Sequence, residues 1–270
     1  MTPTSQANML SSRYGAAHPI FRIELEQAAF NHGYRKANGF ADGWFWFRSD
    51  ESVPGEVALA CGTRDDGAPW FLAVEHAGVA GKLREELAYA AVEPPPAHFR
   101  AAFAFENQAD MRTALSRAFH LARSLPTFPL SQYEAEVAKL GDTEVERIVK
   151  ERVGQGFFRR ALLDYWGSCC PLTGIREEAL LRASHIVPWA KCRSDEERLD
   201  VFNGLLLSAH WDAAFDRGLV SFDDHGRVLV KVGLDPAVMK LLSPESINSI
   251  PLDPLHRRQL AWHRKTYDFD

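Results

Sequence analysis

The chain has 270 residues, 46% of them hydrophobic and 25% charged, with a formal net charge of −5 at pH 7. That is the make-up of a folded protein with two domains or one large one. It excludes a disordered chain and a coiled coil as the main body, and no apolar run approaches the roughly 20 residues a membrane helix needs. The acidic excess lies wholly in residues 1–145, with 13 basic and 18 acidic side chains, while 146–231 and 232–270 are each balanced. A nucleic-acid partner would therefore need a local basic face rather than a basic protein. The start, MTPTSQANMLSSRYG, shows no basic segment followed by an apolar run, and Cys61, Cys169, Cys170 and Cys192 have no framework spacing. Both features predict a cytoplasmic, reducing setting.

In chain order, residues 1–17 read as a loose end and 18–125 as an N-terminal α+β domain. FRIELEQAAFNHGY has helical spacing, with Phe21, Leu25, Ala28 and Ala29 on one side. GWFWF, EVALACG and PWFLAVEH read as strands between turn signals, and EPPPAHF as a break. Glu75 and His76 read as ordinary strand-end residues. Residues 107–124 predict a helix starting near Asn107 or Asp110. Residues 126–144 read as a linker with a short helix, and 145–270 as a second domain. That domain opens on a helical pattern from Thr143 to about Trp166, with Ile148, Val149, Phe157, Phe158, Leu162, Leu163 and Trp166 on its apolar side. A hairpin follows at LVSFDDHGRVLVKV, turning at Asp224-His225-Gly226, and the chain ends in a basic-faced helix.

The region that carries chemistry is 169–222. His185 stands at a strand end and Asn203 after a loop. His210, Asp212 and Asp216 follow on a helix, with Ser208 as N-cap and Gly218 as stop. An imidazole, an amide and carboxylates meeting in this way suit metal-assisted hydrolysis of a phosphodiester.

Three ordered blocks, RVGQGFFRRALLDYWGSCCPLTG, ASHIVPW and NGLLLSAHWDAAFDRGLVSF, resemble the HNH endonuclease domain of the type found in restriction endonucleases. The resemblance spans about residues 145–232. It implies an α+β chain whose C-terminal module has the ββα-metal fold, a divalent cation, and cleavage of DNA to 5′-phosphate and 3′-hydroxyl ends. It makes His185 the general base and gives Asn203 the task of holding loop and imidazole in register. Asp212 and Asp216 stand nine and thirteen residues after Asn203, where the family places helix ligands, and their i,i+4 spacing puts them on one face. His210 points about 200° away from Asp212 on a regular helix, and is kept as a catalytic group, ligand or phosphate contact. Before the base, many relatives carry Asp or His; this chain has Ser184. Oxygen ligation favours Mg²⁺ or Mn²⁺, and a retained imidazole would admit Zn²⁺ or Ni²⁺. No organic cofactor is implied. Restriction or defence is the implied setting, and a homodimer is expected because duplex cleavage needs two cuts.

Plainer readings stand beside these. His185 alone would be a structural histidine, Asn203 a turn residue, and Asp212 and Asp216 a solvated helix face. Arg160, Arg182, Lys191, Arg217 and Arg264 are candidate DNA contacts, or members of a mixed charged surface. Arg257, Arg258, His263 and Lys265 join Arg264 in the basic tail face. Trp44, Phe45, Trp46, Phe47 and Trp70 would stack a base or fill a core. The cysteines read as buried thiols rather than zinc ligands. A non-catalytic binding protein on a degenerate HNH scaffold is the alternative function. The N-terminal domain would select target or partner.

Overall fold

The computed structural model describes residues 19–62, 69–96, 98–141, 143–243 and 249–269. The chain divides into two compact units, Met1–Arg123 and Ser124–Asp270, each mixing helix and strand.

The first unit opens with α1 (Pro19–Asn31), which buries Leu25, Ala28 and Ala29 at helical spacing. Six strands form one antiparallel sheet: β1 (Lys36–Ala41), β2 (Trp44–Arg48), β3 (Val57–Cys61), β4 (Trp70–Val74), β5 (Ala91–Val92) and β6 (Ala101–Phe105), in the order β1-β2-β3-β4-β6-β5. Helix α2 (Ala77–Glu86) lies between β4 and β5, and α3 (Gln108–Ser124) follows β6. The central strands are buried at every residue. Their register aligns Phe45, Leu59, Leu72 and Phe103 on one face and Trp46, Ala58, Ala73 and Ala102 on the other. The alanines leave room on the second face for a cluster that includes Trp44, Phe71 and Phe99. Trp44, Phe45, Phe47 and Trp70 are thus core residues. Strands β1 and β6 escape the sequence pattern for opposite reasons. KANGFA is a polar, exposed edge, and AAFAF is covered on both faces and shows no alternation.

The second unit begins with α4 (Thr127–Val137), inside the stretch read as a linker. Helix α5 (Glu144–Trp166) starts at a capping box between Thr143 and Glu146 and stops at Gly167 in the left-handed region. Ile148 and Val149, expected on its apolar side, are exposed; the helix buries residues only from Gly154 to Tyr165. Strands β7 (Leu181–His185) and β8 (Gly204–Ser208) pair antiparallel, from Leu181 opposite Ser208 to His185 opposite Gly204. Between them the loop carries the short helix α6 (Asp195–Leu199). Helix α7 (Ala209–Asp216) follows β8 directly. The hairpin β9 (Val220–Phe222) and β10 (Val228–Val230) comes next, then α8 (Pro236–Leu242) and α9 (Arg257–Thr266).

One core holds these pieces. Trp211 and Phe215 of α7 pack with Leu205 and Leu207 of β8, Val220 and Phe222 of β9, and Leu260 of α9. Burying each large apolar side chain contributes roughly 1.5–3 kcal/mol. Ser208 takes the N-cap position of α7 but makes no side-chain capping bond, and Gly218, at φ 63°, ends the helix. Among the described residues, no helix is long and apolar enough to cross a membrane.

Candidate active site

A cleft of about 480 Å³ opens in the second unit, lined by Arg182, Ser184 and His185 of β7, Trp189 of the loop, and Asp212 and Asp216 of α7; Arg217, His263 and Tyr267 complete it. The i,i+4 spacing puts both carboxylates on one side of α7, about 100° round the helix from the buried stripe of Trp211 and Phe215.

His185 is the best-determined group. Its Nε2 lies 2.9 Å from the carbonyl oxygen of Arg198. A carbonyl only accepts, so Nε2 carries the hydrogen and Nδ1 keeps its lone pair. The ring stacks on Phe158 with centroids 3.7 Å and planes 16° apart, and meets Trp189 edge-on at 5.8 Å. Burial lowers its pKa from 6.5 to about 4, against the raising effect of the Arg198 bond. The imidazole is therefore neutral at pH 7, the state a base needs. Phe158 reaches this position because Gly204 has no side chain: a Cβ there would stand 2.4 Å from Phe158 Cζ.

Asn203 is fully buried and does not line the cleft. Its Oδ1 accepts from Val187 N at 2.8 Å, and its Nδ2 donates to Val187 O at 3.2 Å and Glu197 O at 3.1 Å. The amide thus fixes the loop, as expected. The imidazole is held by Arg198 instead. The Arg198 guanidinium binds Asp195 and the carbonyls of Trp189 and Cys192, so it ties the loop to itself.

Burial raises the pKa of Asp212, and of Asp216, where the charge of Asp212 raises it further. Ser184, 2% exposed, has no hydrogen bond of standard geometry at Oγ, yet its hydroxyl draws both carboxyl pKa values down. Two carboxylates beside a buried hydroxyl without a partner fit a hard divalent cation of the Mg²⁺ kind. Such an ion takes one or two carboxylates and completes its shell with water and phosphate.

His210 is on α7 but not in the cleft lining. Of the candidate DNA contacts, Arg182 and Arg217 line the cleft. Arg160 lies over the Phe157 ring at 4.3 Å, and Lys191 is exposed on the loop. Arg264 is turned inward onto Phe222 O and Asp224, so it does not belong to an open basic face. Nor does His263, which is 2% exposed. It bonds Ser221 Oγ at 3.0 Å and Phe215 O at 3.1 Å and lies parallel to the Phe215 ring at 3.9 Å. Tyr267 donates to Asp216 O at 2.8 Å. Both groups were missed as cleft residues. The signal was present in the buried stripe His256, Gln259, Leu260 and His263 at helical spacing.

The first unit holds a second polar cluster. Glu56, Glu75 and His98 each offer a donor atom within 4.8 Å of the others, a spacing compatible with a metal ion. Glu56 is 4% exposed; Asn38 and Arg48 both donate to its Oε1, and His98 Nε2 is 3.3 Å from Oε2. Glu75 accepts from Glu56 N at 2.9 Å, and His76 caps α2 through Val79 N. Glu75 and His76 are thus more than strand-end residues. Arg48 already faces the buried carboxylate, which accounts for the cluster as an ion-pair network.

All four cysteines are free thiols, and Cys192 receives a contact from Asn203 Nδ2 at 3.3 Å. No curated protein matches the chain. The model of the HNH endonuclease family matches residues 170–223, the segment that holds His185, Asn203, Asp212 and Asp216.

Proposed function

We propose that the protein is a metal-dependent DNA endonuclease whose C-terminal unit is a ββα-metal module. The observation that carries this reading is the convergence of a neutral imidazole, two carboxylates and two arginines on one cleft, within the segment that matches the family. His185, with Nδ1 unprotonated, takes a proton from the attacking water. Asp212 and Asp216 would hold the cation. Arg182 and Arg217 set the scissile strand through its phosphates. A bound Mg²⁺ or Mn²⁺ would supply charge stabilisation at the phosphate and help the leaving oxygen depart. The base and the carboxylates enter the cleft from different elements, so the reacting phosphate sits between them. His210, outside the lining, acts at most on flanking DNA.

Restriction or defence as the setting, and target or partner selection by the N-terminal unit, extend the resemblance. The homodimer rests on the two-cut argument alone. A plasmid nicking assay with Mg²⁺ or Mn²⁺ tests the reading. Wild type should cut, and His185→Ala should not; equal rates in the two, or no cutting of any DNA by wild type, would reject it.

Ser184 favours a second reading, a DNA-binding scaffold that has lost catalysis, because the cleft presents two carboxylates and a neutral hydroxyl. DNA binding with no heat of Mn²⁺ binding in calorimetry would select that reading.

A further inference from the structure

Strand β7 alternates its side chains. Arg182 and Ser184 share one face, and Ala183 and His185 share the other. The Phe158 ring occupies the His185 side. Ser184 lines the cleft together with Asp212 and Asp216. It is 2% exposed, and its Oγ has no hydrogen-bond partner of standard geometry. A hydroxyl buried in this way costs stability, so neither packing nor a capping bond explains it. Two carboxylates lining one cleft repel one another, and the hydroxyl's single hydrogen can serve only one oxygen at a time.

We propose that Ser184 is a positioning residue for the carboxylate pair, its hydroxyl holding Asp212 and Asp216 at the spacing at which both reach one divalent cation. The inference rests on the endonuclease reading of the cleft. A neutral donor between two carboxylates keeps the charge of the pair at −2, which one divalent ion balances. The hydroxyl orients the oxygens without adding a third negative group, and its bond closes when the ion fixes them. Partners of this kind, which orient a ligand without being the ligand, typically change metal affinity tenfold to a hundredfold.

The test is Mn²⁺ titration of the full-length protein, read by the electron paramagnetic resonance signal of free Mn²⁺, with the melting temperature measured in parallel. Ser184→Ala should weaken Mn²⁺ binding about tenfold or more while leaving the melting temperature unchanged or raised, because a buried unpartnered donor is removed. Ser184→Thr, which keeps the hydroxyl, should restore most of the affinity. A purely structural serine would show the opposite pattern, a lower melting temperature with affinity retained. Unchanged affinity in Ser184→Ala, beside a clear loss in Asp212→Asn and Asp216→Asn, overturns the role of Ser184 and leaves the metal site standing. No Mn²⁺ binding by wild type, or no effect of either aspartate change, overturns the site itself.

Discussion

Asn203 and Val187 close a two-point bond: Val187 N donates to Oδ1 at 2.8 Å, and Nδ2 donates back to Val187 O at 3.2 Å. Val187 lies two residues beyond His185, so this pair anchors the loop that returns to supply the Arg198 carbonyl. Asn203→Ala leaves buried groups at Val187 and Glu197 without partners, each costing roughly 1–3 kcal/mol. The expected result is a drop in urea-unfolding stability of about 3 kcal/mol, with the His185 orientation lost along with it. Asn203→Asp keeps the acceptor and loses the donors, so it should fall between wild type and alanine. A stability within 0.5 kcal/mol of wild type for the alanine variant would contradict the anchoring role.

The His185 ring is held by three contacts, to the Arg198 carbonyl, Phe158 and Trp189, and the Phe158 stack can be tested without touching the carboxylates. His185→Ala removes the proton acceptor and should slow cleavage by roughly 10²–10⁴. Gly204→Ala acts indirectly. Its new Cβ would stand 2.4 Å from Phe158 Cζ, so the ring that supports the imidazole must shift. Overpacking of this kind costs about 1–3 kcal/mol, and the nicking rate should fall together with the melting temperature. If Gly204→Ala cuts DNA at the wild-type rate, the Phe158 stack is not what orients the base.

How much of this was legible in the sequence differs by residue. The placement of His185 at a strand end and of Asp212 and Asp216 on one helix face could be read because both are short-range patterns, whereas their roles came from the family resemblance. The loop role of Asn203 was legible, but its division of labour with Arg198 was not, because backbone acceptors have no sequence signature. Arg264 and His263 were read as one basic face. Amphipathic spacing shows that a helix has two sides without saying which side a histidine takes, and here the buried stripe is itself polar. Glu56 was invisible for a different reason. Its partners Asn38, Arg48, Glu75 and His98 come from separate strands and a loop, so only the sheet register assembles them.

Acid should destabilise the fold through two histidines. Burial holds both His185 and His263 at a pKa of about 4 instead of 6.5. The unfolded chain therefore binds more protons between those values, and stability falls as pH drops from 6.5 towards 4. A shift of that size corresponds to about 3 kcal/mol per group at full expression. Nuclear magnetic resonance titration of the imidazole signals should give two midpoints near 4. A midpoint near 6.5 for either ring would mean that it is not buried as described.

Asp200 works in the other direction. Burial is the main cause of its rise from 3.8 to about 6, with the charges of Glu197 and Asp253 adding to it, while a bond from Phe202 N opposes. A carboxyl whose folded pKa is raised destabilises the fold where it is ionised, and the penalty is lost as pH falls from the folded value to the unfolded one. Asp200→Asn keeps the acceptor for Phe202 N and removes the charge. It should be more stable than wild type at pH 7.5, and the difference should shrink as pH falls below about 6 and vanish only towards 3.8 in paired urea titrations. A pH-independent difference would assign the effect to something other than ionisation.

The family match ends at residue 223, yet the packing does not. Helix α9 places Leu260 in the core, gives Ser221 and Phe215 O their partners through His263, and ties Asp216 O through the Tyr267 hydroxyl. Gly218 accepts the Tyr267 ring at a distance where any Cβ would collide, 2.2 Å from its Cδ1. Deleting residues 254–270 from the full chain should therefore abolish cooperative unfolding of the second unit, and with it any Mn²⁺ binding at Asp212 and Asp216. His263→Ala, a smaller lesion, removes a buried ring and leaves the buried Ser221 hydroxyl without its imidazole partner, while Phe215 O keeps the bond from Gly218 N, so it should cost several kcal/mol. Differential scanning calorimetry resolves both. An unchanged second transition in the deletion would show that the matched segment and its neighbours up to residue 253 are sufficient, and that α9 is an accessory rather than a wall of the cleft.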